Sequence, residues 1–207
     1  MSRPGTGIRR SIGVAVIAVA VSFVAPACGS TSATTGGDSS GGNAPTIPTE
    51  VRFNSADLEF VQGMLPHHQQ AIAMADHAIA KSSYLDVVEF ATTIRATQSS
   101  EVEQLRAWLV NWGEPEADPS KTGSMHMPGM DHSSFEVDMA RLGETKSLEY
   151  AQLWIELMIE HHRSALTMAR IEVESGRNPE VIAMAQMILA TQQQEIDAMT
   201  ALKPLLG

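Results

Sequence analysis

The strongest constraint on the fold is a repetition. Met64-Leu65-Pro66-His67-His68 returns as Met158-Ile159-Glu160-His161-His162, an offset of 94 residues (158 − 64). The register continues without a gap, pairing Ala71 with Ala165, Met74 with Met168, Ile94 with Ile188, Gln98 with Gln192 and Glu101 with Glu195. A chain built this way carries one structural unit twice, so any fold assigned to the first half must also serve the second.

Each unit reads as two helices. Asn54 stands where an N-cap belongs, with Asp57 three residues on, and apolar residues then recur at helical spacing to about residue 81. Further helices are predicted over about 84–111, 145–175 and 179–202, with Gly176 near the end of one and Pro179 opening the next. No stretch shows strand alternation. The expectation is an all-α four-helix bundle of two repeated helical hairpins, with repeat one at 53–111, a linker at 112–134 and repeat two at 135–205.

The helical wheel puts polar residues into the bundle's interior. On the first helix, steps of four and three run Phe60, Met64, His67, Ala71, Met74, beside a stripe of Val61, Leu65, His68, Ile72. The third helix repeats this as Trp154, Met158, His161, Ala165, Met168 beside Ile155, Ile159, His162, Leu166. The second and fourth carry Gln98 with Glu101 and Gln192 with Glu195 in their apolar seams. Buried polar groups left unsatisfied cost roughly 1 to 3 kcal/mol each, so these residues must be paired or bound. Two explanations stand. The first is an internal layer of imidazole–carboxylate hydrogen bonds that fixes the register of the bundle. The second is a metal ion. Imidazole nitrogen from His67 and His161, flanked by the thioethers of Met64, Met74, Met158 and Met168, makes a ligand set suited to Cu(I), and Glu101, Glu195, Gln98 and Gln192 would orient the rings. His68 and His162 are then either co-ligands or hydrogen-bond partners of Glu101 and Glu195.

The linker carries a second concentration of the same donors. Met125, His126, Met127, Met130 and His132 lie within eight residues of one another, interrupted by Pro128 and Gly129, with no apolar periodicity around them. A mobile copper-capture arm accounts for that composition better than core packing does.

Upstream of the repeat, residues 1–27 read as an export signal: Arg3, Arg9 and Arg10 precede an apolar run at 12–24 that is too short to span a bilayer. The single cysteine, Cys28, follows Ala25-Pro26-Ala27 and precedes Gly29-Ser30, an arrangement resembling the lipid-attachment site of bacterial lipoproteins. Residues 28–50 form a Gly/Ser/Thr/Pro tether that cannot bury enough apolar surface to order itself. The expected location is the outer face of the cell membrane, held by lipid on Cys28. One cysteine excludes an internal disulfide and every multi-thiolate metal site. A net charge of −10 argues against nucleic acid.

The pattern Asp57-x-x-Phe60-x-x-x-Met64-x-x-His67-His68-x-x-Ala71-x-x-Met74-Ala75, its second copy through His161-His162, and the later Gln-x-x-Glu of each half resemble the bacterial family named domain of unknown function 305. The resemblance covers residues 53–203. It implies a ferritin-like bundle, usually exported and often lipid-anchored, and its CopM-type members are associated with periplasmic copper binding and resistance. Ala151 departs from the pattern, standing where the second copy should repeat Asp57. Asp57 itself serves equally well as a helix cap.

Enzymatic readings find little support. No residue three before any histidine is acidic, as a di-iron Glu-x-x-His site would need, and no His-Glu-x-x-His or credible nucleophile elbow occurs. Three functions remain in play: a copper-sequestering or copper-delivering lipoprotein with an unidentified receiving protein, a ferritin-like metal-dependent oxidase, and a structural or adaptor bundle without metal.

Overall fold

The computed structural model describes residues 53–117 and 132–206, with His132 and Ser133 described for their backbone alone. Every described regular element is helical: α1 (Ser55–Lys81), α2 (Leu85–Trp112), α3 (His132–Glu144), α4 (Ser147–Ser175) and α5 (Pro179–Leu202), followed by a 3-10 turn at Lys203–Leu205. Signal, lipid-attachment and tether segments, and Met125, His126, Met127 and Met130 of the proposed capture arm, lie outside the described residues.

The four long helices form the bundle that the repeat requires. α1 packs on α2 and α4 on α5, and the two hairpins meet along α1 and α4. These two run antiparallel: the start of α1 lies at the turn after α4, where Arg177 N donates to Asp57 Oδ1 at 3.0 Å, whereas Trp154 near the start of α4 donates to the Met74 carbonyl at 2.9 Å. Equivalent residues of the two hairpins therefore face one another across a pseudo-twofold axis.

Local chemistry sets the helix ends. Asn54 Oδ1 accepts from Asp57 N at 3.0 Å while Asp57 Oδ2 accepts from Asn54 N at 2.6 Å, the reciprocal cap that opens α1. Asn178 caps α5 by accepting from Glu180 N and Val181 N, and Pro179 fills the position where no N–H is needed. Gly113 ends α2 at φ 76°, in the left-handed region open to glycine without a Cβ penalty. Gly176 works differently. Its φ of −66° is ordinary, but a Cβ there would strike the Glu172 side chain, so small size and not left-handed geometry explains it.

α3 is a helix not expected from the sequence; it begins within the linker bounded at 112–134 and precedes the helix expected to start near 145. His132 opens this helix, and its apolar stripe of Phe135, Met139 and Leu142 docks on the core. Leu142 is fully buried. The stripe covers only two turns, and an isolated helix of that length is marginal in water, so its formation depends on docking.

The core divides into two apolar clusters. One gathers Met74, Ile94, Trp154, Met158 and Met199, among others, and the second gathers Met64, Leu65, Leu105, Met168 and Ile188. Between them lies a layer of buried polar side chains.

Candidate metal centre

Helical spacing delivers the four histidines to one level of the bundle. His67, His68 and His162 are buried, and His161 is half-buried. Pro66, just ahead of the first pair, has no N–H to give the Gln62 carbonyl, which loosens the hydrogen-bond ladder of α1 at this point. The rings of His67 and His161, equivalent residues of the two repeats, meet across the pseudo-twofold axis with centroids 3.7 Å apart and planes inclined at 34°. His68 and His162 lie to either side, 6.2 and 6.4 Å from their sequence neighbours.

Each outer histidine faces a glutamate from the second helix of its own hairpin. His162 Nε2 donates to Glu195 Oε2 at 2.7 Å. His68 Nε2 lies 2.8 Å from Glu101 Oε2, within ion-pair distance but poorly aligned for a hydrogen bond. The sequence alternatives for His68 and His162 are thus both compatible with the structure: the carboxylates occupy Nε2, and Nδ1 of each ring is buried without a partner.

The inner pair behaves similarly on one side only. Ser164 Oγ donates its single proton to the His161 carbonyl at 2.9 Å, so His67 Nε2 must donate to that Oγ, 2.5 Å away. A lone pair is left on His67 Nδ1, which has no partner. On His161 neither ring nitrogen has a well-aligned partner, the nearest acceptor being the His67 backbone. Burial first, then the surrounding imidazoles, hold His67 and His161 well below the usual imidazole range, so both are neutral with lone pairs available. Gln98 and Gln192, equally buried, contribute further unpartnered side-chain groups.

Unsatisfied buried groups are rare in folded proteins, and here they coincide in one layer. Four imidazoles, two of them facing carboxylates, are donors of the kind that hold a transition-metal ion. The ring stack at 3.7 Å leaves no space for an ion between His67 and His161. Accordingly, among the described residues no three His, Cys, Asp or Glu side chains converge on a common point. Soft thioethers are the remaining donors. Met64 and Met168 belong to one apolar cluster and Met74 and Met158 to the other, all buried, and Met74 shares a cavity wall with His161. His132 opens α3, and Met139, unremarked in the sequence, lines the same cavity. Its signal was available, four residues after Phe135 and three before Leu142, but belongs to a helix too short to stand out.

Fold and layer together define a duplicated, pseudo-symmetric helical bundle with a histidine-rich centre. The family model of the domain of unknown function DUF305 matches residues 57–203, and the chain belongs to that family. Solved structures agree. A DUF305 protein from Streptomyces coelicolor, assigned as secreted, is 30% identical with a TM-score of 0.64, covering 72% of this chain and 91% of its own. A DUF305 fragment from Deinococcus radiodurans is also 30% identical, with a TM-score of 0.65 over 73% of this chain and 97% of its own. CopM in its Cu(I)-bound form is 26% identical with a TM-score of 0.61, over 73% and 98%. CopM has also been solved with Cu(II) and with silver. No protein of curated function matches the chain.

Proposed function

We propose that this protein binds a soft metal ion, copper as Cu(I), at its histidine layer, and that it sequesters or delivers the ion outside the cytoplasm without catalytic turnover. The observation that carries this reading is the coincidence of unpartnered, neutral, buried imidazole nitrogens at the level where the two hairpins meet. The copper- and silver-bound forms of a relative with the same fold support it. A relative assigned as secreted supports export. Within this reading His67, His161, His68 and His162 supply nitrogen, Met64, Met74, Met158 and Met168 supply sulfur, and Met125, His126, Met127, Met130 and His132 capture the ion from solution. Lipid on Cys28 would hold the bundle at the membrane.

A structural polar layer is the competing reading, favoured by the His162–Glu195 bond and by the close contact of the inner rings, which link the helices through the protein's own groups. Anaerobic Cu(I) titration against a competing chelator decides between them. Binding at defined stoichiometry that falls when His67 and His161 are both replaced by Ala supports the metal reading. If the unaltered chain cannot compete with a weak chelator, the layer is structural.

A further inference from the structure

The two halves of the histidine layer differ in what surrounds them. His67 is 1% exposed and its Nε2 is engaged by Ser164, whereas its equivalent, His161, is half-buried with no side-chain partner on either nitrogen. The second repeat carries Ser164 where the first has Gln70, which accounts for the bond to His67, and the His161 side is covered by α3. Beneath it lies a cavity of about 150 Å³ whose wall includes Met74 from α1, Met139 from α3 and His161 from α4. Phe135 and Leu142 clamp α3 to the core on either side of Met139.

Two thioethers and an imidazole stand together in a wall that also carries the polar side chains of Asp138, Glu160 and Ser164. Thioether sulfur is a weak acceptor that water or an alkali cation does not seek, but it is a good ligand for a soft monovalent ion. The wall thus sets three soft donors, matched to the low coordination number of Cu(I) or Ag(I), beside the two carboxylates of Asp138 and Glu160, which attract a cation. Its position also matters: the His161 ring is shared, lining the cavity and stacking on His67.

Resting on the metal-binding reading above, we infer that this cavity is the port of the histidine layer: a binding site for a soft monovalent cation formed by Met74, Met139 and His161, from which the ion passes to the layer by rotation of the His161 ring. Met139 is the ligand that α3 contributes, and it gives that helix a role in gating access.

Silver(I) tests the site, being redox-inert and diamagnetic. The full chain, labelled with carbon-13 at its methionine methyls, is titrated with Ag(I) to saturation while methyl and imidazole resonances are followed. Met74 and Met139 are assigned from the signals missing in Met74→Leu and Met139→Leu. The expected result is that both methyls shift together with the His161 resonances. Met139→Leu should lower the affinity of the bundle for Ag(I) at least about tenfold, with its helical circular dichroism and thermal midpoint retained. Imidazole shifts with a stationary Met139 methyl, or unchanged affinity in Met139→Leu, overturn the port and leave the metal reading standing. If neither imidazoles nor methyls in the bundle respond, both fall.

Discussion

Asp57 and Glu172 form a buried pair of carboxyl groups where α1 begins and α4 ends, and the pair exists in only one of the two repeats. Both are fully buried. Asp57 spends its oxygens on backbone N–H groups, accepting from Asn54, Arg177 and Asn178, and so ties the α1 cap to the α4–α5 turn. Glu172 has no well-aligned partner, and burial followed by the neighbouring Asp57 pushes it up to about 8. At the repeat offset Asp57 corresponds to Ala151 and Glu172 to Ala78, so where one acid is missing its companion is missing too. The sequence departure at Ala151 is therefore one half of a paired change.

Glu172 makes stability fall with rising pH. Between the ordinary glutamate value of 4.5 and about 8, the folded chain retains a proton that the unfolded chain has released, so each step upward through that window favours unfolding. Glu172→Gln should remove this slope, matching the unaltered protein near pH 5 and exceeding it by about 1 to 3 kcal/mol at pH 9 in urea denaturation. Parallel stability–pH curves for the two proteins would refute the assignment.

The inner histidines act in the opposite sense at acid pH. His67 and His161 stay neutral in the fold, whereas the unfolded chain protonates them as pH drops below the ordinary 6.5. Stability should then decline on acidification below about pH 6.5, by up to about 1.4 kcal/mol per pH unit for each histidine. His67→Gln with His161→Gln should flatten that limb of the metal-free protein's profile. A metal ion bound through the same nitrogens would leave over the same range, because protons compete for the lone pairs.

Glu195 holds His162 in the tautomer that leaves Nδ1 free. Replacing it with Gln keeps the size and removes the charge, and should weaken Cu(I) binding about 10- to 100-fold in chelator competition while the thermal midpoint changes little. Glu101→Gln, whose contact with His68 is less well aligned, should have the smaller effect.

Trp154 anchors the seam between hairpins through one buried hydrogen bond, from its indole N–H to the Met74 carbonyl at 2.9 Å. Trp154→Phe leaves that carbonyl without its cross-helix partner and opens space in a fully buried site, so a loss of about 2 to 4 kcal/mol is expected from equilibrium unfolding. A loss under about 1 kcal/mol would mean that the seam repacks.

Much of this architecture was legible in the residues alone. A repeated pattern with helical period demands two similar hairpins, and it placed the histidines on buried stripes because helical spacing is a local property of the chain. The Asn54–Asp57 cap was equally local. The ends of α2 and α4 fell within two residues of expectation for the same reason. What the sequence could not reveal is which groups meet across helices. Glu172 sits between Val173 and Ile171 in a stretch that reads as ordinary helix surface, and only the approach of α1 buries it against Asp57. α3 carries too few apolar residues to announce itself and exists because a surface is there to receive it. The repeat makes His67 and His161 equivalent in sequence; Ser164 on α4, standing where the first repeat has Gln70, engages one ring, and the docking of α3 places its counterpart in a cavity wall. Local periodicity fixes which face of a helix is apolar, but the contacts that distinguish two identical faces depend on long-range packing, which no single helix encodes.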